Sequence, residues 1–149
     1  MKVREAMTGD PVCVLATDSA QKVARQLCEH NIGSAPVVAD HGSKKLIGMV
    51  TDRDLACTIV AAGLDPKSTT IERAMTREVV SCREGENLDN CQRLMREHQV
   101  RRIPIVDASA SVIGILSLAD VAQKEHPEKV SATVKEISKP SPENANKAA

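Results

Sequence analysis

The chain contains itself twice. Val3-Arg4-Glu5-Ala6-Met7-Thr8 returns as Ile71-Glu72-Arg73-Ala74-Met75-Thr76, and the offset of 68 positions holds without a gap as far as Val38 and Val106. Within that stretch Arg25, Glu29, His30 and Pro36 meet the same residue types at Arg93, Glu97, His98 and Pro104. After a two-residue deletion, the run from Ile47 to Asp54 aligns with the run from Ile113 to Asp120. A period this long exceeds the roughly 20–50 residues of solenoid repeats and indicates two tandem modules. Each copy has about 60 residues, a size at which a lone core is marginal, so the copies are expected to bury their apolar faces against each other.

Composition narrows the partners. The 149 residues carry 20 basic and 20 acidic side chains, so no global field draws the protein to nucleic acid or an anionic membrane, and anion binding must be local. No apolar run approaches the length of a membrane span, and the start leads straight into repeat sequence, so neither a spanning helix nor a signal peptide is expected and the compartment expected is the cytoplasm. Cys13, Cys28, Cys57, Cys82 and Cys91 are odd in number and form no C-x-x-C pair, which fits neither a disulfide framework nor a zinc site; they are expected to be small buried hydrophobes that stay reduced. There is no Phe, Tyr or Trp, so a ligand base cannot stack on an aromatic ring and has to lie between aliphatic side chains.

One copy reads as β-α-β-β-α. Residues 11–15 suit a short strand, and Asp18-Ser19-Ala20-Gln21 offers an N-cap with capping-box spacing. Ala20, Val23, Ala24 and Leu27 then form one helical stripe, interrupted by Asn31 and Gly33. Residues 35–38 and 45–50 read as antiparallel strands joined at His41-Gly42. Thr51 caps a second helix with Leu55, Ala56, Ile59 and Val60 expected inward and Gly63 at its C′ position. In the second copy strands are expected at about 79–82, 103–106 and 111–116, and helices at about 88–98 and 118–125. Residues 1–63 and 71–126 are thus the repeats, 64–70 a linker, and 127–149 a polar tail. In that tail Val130, Val134 and Ile137 suit one face of a short helix, with disorder expected beyond it.

In both copies a strand runs from glycine through two apolar residues into a hydroxyl, with an acid three positions on: Thr51 with Asp54, and Ser117 with Asp120. One reading is a helix cap with an acid at the positive end of the dipole. The other is ligand chemistry. Unpaired N–H groups and a hydroxyl at a strand-to-helix junction suit a phosphate, and the glycine lets a ligand approach the backbone. A carboxylate one turn further on can accept two bonds from a ribose diol. Phosphate and diol together describe a nucleotide.

The duplicated order of Met-Thr, strand, helix, apolar-x-x-apolar-Pro, and Gly-apolar-apolar-(Thr/Ser)-x-x-Asp resembles a pair of CBS domains, the Bateman module, over about residues 3–123. The resemblance implies an α/β fold of the α+β kind, in which two β-α-β-β-α repeats pack through their sheets about a pseudo-two-fold axis and leave two clefts. It also implies adenosine-containing ligands: AMP, ADP or ATP, with NAD or S-adenosylmethionine possible. Asp54 and Asp120 would then hold ribose, Thr51 and Ser117 phosphate, and the backbone near Val12 and Val80 the base edge.

The copies differ where phosphate would lie, since Gly33-Ser34 of the first meets Arg101-Arg102 of the second. Arg101 and Arg102 are therefore phosphate candidates by the resemblance, or else a solvated basic edge. Arg53 is the cation candidate of the first cleft, or a surface ion pair. His30 and His98 suit helix C-termini, and no histidine has metal-site spacing. Neither a catalytic residue nor a metal site is expected. The function expected is an adenosine-nucleotide sensor, not an enzyme, acting on an unidentified target protein or on its own homodimer. The alternative is a ligand-free interaction scaffold.

Overall fold

The structure, a computed structural model, is described for residues 1–140. Expectations for the sequence beyond Pro140, including its disorder, lie outside the described residues. The first repeat comprises β1 (Thr8–Gly9), β2 (Val14–Leu15), α1 (Ala20–Glu29), β3 (Ser34–Val38), β4 (Leu46–Thr51) and α2 (Asp52–Leu55). The second comprises β5 (Cys82–Arg83), α3 (Leu88–His98), β6 (Arg102–Val106), β7 (Val112–Ser117) and α4 (Leu118–Lys124), and α5 (Pro127–Ile137) follows. In each repeat a short parallel strand joins an antiparallel pair: Val14 faces Val37 as Cys82 faces Ile105, and Pro36 faces Met49 as Pro104 faces Ile115. Pro36 lies in a central strand, but β2 pairs only from Val37 onward, so the missing N–H interrupts no bond on that side.

The segment that opens each repeat belongs to the other one. Val3 and Ala6 are buried with Cys82, Leu88, Met95 and Ile103 of the second repeat, whereas Ile71, Ala74 and Met75 are buried with Val14, Val23, Val37 and Ile59 of the first. Accordingly β1 pairs with β7 to give the sheet order β1-β7-β6-β5, while Thr76 exchanges backbone bonds with Met49 at 2.8 and 2.9 Å. The motif glycines make this possible. A Cβ at Gly48 would meet the Thr76 carbonyl at 2.8 Å, so the close approach that the glycine permits there is of protein backbone. The hairpin tips also cross, through Val112 N to Lys44 O at 2.8 Å and Leu46 N to Ala110 O at 3.1 Å, over a third apolar cluster of Cys13, Val38, Val106 and Val112.

Several local expectations are corrected. The N-cap of α1 is Ser19, which accepts from Lys22 N at 3.1 Å, while the Asp18 carboxylate accepts from Leu15 N at 2.9 Å. The helix after Thr51 widens over Ala56–Val60, where Ala61 N bonds Ala56 O five residues back at 2.9 Å. The wider turn keeps Leu55 and Ile59 buried but turns Ala56 and Val60 outward. Of the cysteines, Cys13, Cys82 and Cys91 are buried and Cys28 and Cys57 are exposed, since the last two fall on outer faces of their helices. Burial pushes the Cys13 thiol up, and for Cys91 a hydrogen bond with the Cys82 thiol, followed by burial, does the same.

Candidate functional site

Each strand-to-helix junction closes a reciprocal capping box. Thr51 N donates to Asp54 Oδ2 at 2.9 Å and Asp54 N to Thr51 Oγ1 at 3.0 Å. Ser117 N donates to Asp120 Oδ2 at 2.8 Å and Asp120 N to Ser117 Oγ at 3.1 Å. Ser117 differs in one respect: its hydroxyl also donates to Asp120 Oδ2 at 2.7 Å. A phosphate at Ser117 has to compete with that carboxylate for the single hydroxyl proton. At Asp120 both of these bonds from Ser117 fall on Oδ2, and Oδ1 accepts neither.

A cleft of about 780 Å³ opens beside Ser117 and Asp120. It brings together Val12, Arg101, Arg102, Ser117 and Asp120, so residues of both repeats line it. Arg102 is the cross-strand partner of Ser117, and the Arg101 carbonyl accepts from Leu118 N at 2.8 Å, which fixes both arginines at the mouth of the junction. The Arg102 guanidinium reaches the first repeat: a Cβ at Gly33 would lie 3.3 Å from its Nη2 and 3.4 Å from Asp52 Oδ2. Thr51, Arg53, Asp54 and Val80 do not line this cleft. Thr51, Arg53 and Asp54 lie at the equivalent junction of the first repeat, where Ser34 faces Thr51 across β3 and β4, whereas Val80 packs against the second core.

The cleft also holds residues that the sequence reading did not assign to a site. His30, Asn31, Ile32 and Ser34 enter from the end of α1 and the start of β3, and Val130 and Val134 from α5. Ser34 is buried and its hydroxyl has no partner within the protein, a condition that a bound polar group would relieve. Its signal in the sequence was its position, since it stands where the second repeat has Arg102. Among the described residues no group of three or more His, Cys, Asp or Glu side chains could hold a metal ion, and no helix is long and apolar enough to cross a membrane.

Two β-α-β-β-α repeats that seat their opening segments on each other, with a cleft at a strand-to-helix junction, define a duplicated α/β module. The chain belongs to the CBS domain family: the family model matches residues 3–60 and again 71–126. It is 38% identical over 120 residues to the CBS domain-containing protein YhcV of Bacillus subtilis, covering 80% of this chain and 82% of that one. It is 32% identical over 120 residues to hypoxic response protein 1 of Mycobacterium tuberculosis, with 80% and 82% covered. Among solved structures, Hypoxic Response Protein I with two coordinated zinc ions superposes with a TM-score of 0.76 at 30% identity, covering 85% of this chain and all of that one. The CBS domain pair of protein MJ0100, in complex with 5′-methylthioadenosine and S-adenosyl-L-methionine, superposes with a TM-score of 0.73 at 29% identity, covering 83% and 94%.

Proposed function

We propose that this CBS pair is a regulatory module that binds an adenosine nucleotide, AMP, ADP or ATP, in the cleft of Ser117 and Asp120. The observation that carries the reading is the convergence in one cleft of Arg101, Arg102, Ser117 and Asp120 with Val12 from the other repeat. Arg101 and Arg102 supply charge-assisted donors to phosphate, and Asp120 accepts from the ribose diol. Thr51, Arg53, Asp54 and Val80 form the corresponding, weaker site of the first repeat. The solved relative that binds adenosine derivatives supports the ligand class. Calorimetric titration with AMP, ADP, ATP, NAD and S-adenosylmethionine tests it; the absence of heat with all five rejects it.

The output goes to a partner protein or to the oligomer itself, through a ligand that binds two states with different affinity. A homodimer through helices is part of this reading. On α3, Arg96 is committed within the chain, its Nη1 donating to Thr133 Oγ1 of α5 at 3.1 Å. The helical face left for a second copy is therefore that of the first repeat, where Val60 is 73% exposed. A monomer mass in sedimentation equilibrium at micromolar concentration would refute it. The scaffold reading is favoured by a different observation, the complete capping boxes at both junctions, which satisfy Thr51, Asp54, Ser117 and Asp120 without a ligand.

A further inference from the structure

Among the described residues, Ile32 and Val134 are two of the few large apolar side chains left exposed, at 36% and 38%, and both line the Ser117–Asp120 cleft. Ile32 comes from the turn after α1 in the first repeat. Val134 comes from α5, which lies beyond the segment 71–126 that matches the family model. Val130, one helical turn earlier, lines the same cleft.

The other side of α5 is anchored. Thr133 is fully buried, donates to Gln92 Oε1 at 3.0 Å and accepts from Arg96 Nη1 at 3.1 Å. Gln92, itself buried, donates on to Glu125 Oε2 at 2.8 Å, and Ile137 is buried in the second core. A satisfied buried network of this kind sets one register for the helix. One face of α5 therefore docks on α3, while Val134 is presented to the cleft and Val130, partly buried against the second core, lies at the cleft's edge. The chain has no aromatic residue, so an aliphatic wall is what remains to remove the face of a planar base from water.

We propose that Val130 and Val134 are ligand-contacting residues of this cleft. With Ile32 they form the apolar wall against which the nucleoside packs, so occupancy of the cleft and docking of α5 stabilise each other. The inference rests on the nucleotide reading of the cleft. The linkage is reciprocal: a ligand that touches α5 binds the docked helix more tightly than the undocked one, and so holds it in place.

The test uses the full chain with adenosine and ADP as probes. Val134→Asn, a neutral change at a partly exposed position, weakens both ligands about tenfold, because the wall contacts the nucleoside and not the phosphates. Val134→Leu retains binding, and Ser109→Asn, at an exposed position in the turn between β6 and β7, leaves it unchanged. In the unmutated protein ADP slows amide exchange across residues 127–137. If Val134→Asn binds adenosine and ADP as tightly as the unmutated protein, the wall is not a contact and the proposal is overturned while the nucleotide reading stands. If the unmutated protein binds neither probe, the nucleotide reading falls and the wall with it.

Discussion

The side chain of Met7 fills the space that a Cβ would need at Gly114: its sulfur would lie 2.6 Å from that atom. The equivalent pair is not identical. At Gly48 the nearest obstruction is the Thr76 carbonyl, at 2.8 Å, and a backbone atom paired in a ladder cannot swing aside as a thioether can. Both Gly→Ala variants therefore lose stability, by about 1–3 kcal/mol for an overpacked site, and Gly48→Ala loses the more. Urea unfolding monitored by circular dichroism ranks them; equal stability of Gly48→Ala and the parent would show that the exchanged segment yields freely.

Arg102 and Arg101 are predicted to read phosphate. Arg102→Ala weakens ADP about tenfold or more and spares adenosine, since a bond to a charged group contributes roughly 1.5–3 kcal/mol. Paired titrations with Arg53→Ala decide between the clefts. Loss of ADP binding in Arg53→Ala with Arg102→Ala unaffected would move the preference to the first repeat.

Asp120 is predicted to read the ribose. Asp120→Ala weakens ADP about tenfold but weakens 2′-deoxy-ADP much less, because the deoxy ligand has already lost one of the two bonds. Equal affinity of the unmutated protein for the two ligands would remove Asp120 from the ribose site.

Thiol reactivity should divide the cysteines. At about pH 8 a maleimide labels Cys28 and Cys57 in the native protein, whereas Cys13, Cys82 and Cys91 react only on unfolding, since burial denies access to all three and the raised thiols of Cys13 and Cys91 also lose thiolate. Peptide mass mapping after a short pulse reads the pattern, and fast labelling of Cys91 would contradict it.

What the sequence disclosed follows from what is local. The strands around Pro36 and Pro104, and the helix from Leu88 to His98, came from periodicity and breakers that act over a few residues. The junctions of Thr51 with Asp54 and Ser117 with Asp120 were legible because a capping box is a four-residue pattern. The exchange of Val3 and Ile71 between cores was not, because either packing buries the same apolar surface. The helical face of α5 was visible in Val130, Val134 and Ile137, but its docking depends on Thr133, a polar residue whose burial is decided by Gln92 and Arg96 some forty positions away. The exposure of Cys57 and Val60 was missed because one wide turn shifts the helical phase.

The exchange of opening segments bears on how such a chain can arise. A single repeat carries both the Met-Thr segment and the glycine that receives one, at Met7 with Gly48 and at Met75 with Gly114, yet each segment is seated on the opposite copy. Two identical half-length polypeptides could satisfy each other in the same way, as a symmetric swapped dimer. The residues of 64–70 then amount to a covalent tie between former strangers, and the later divergence of Gly33-Ser34 from Arg101-Arg102 is the freedom that tie confers: once joined, the halves no longer have to remain the same.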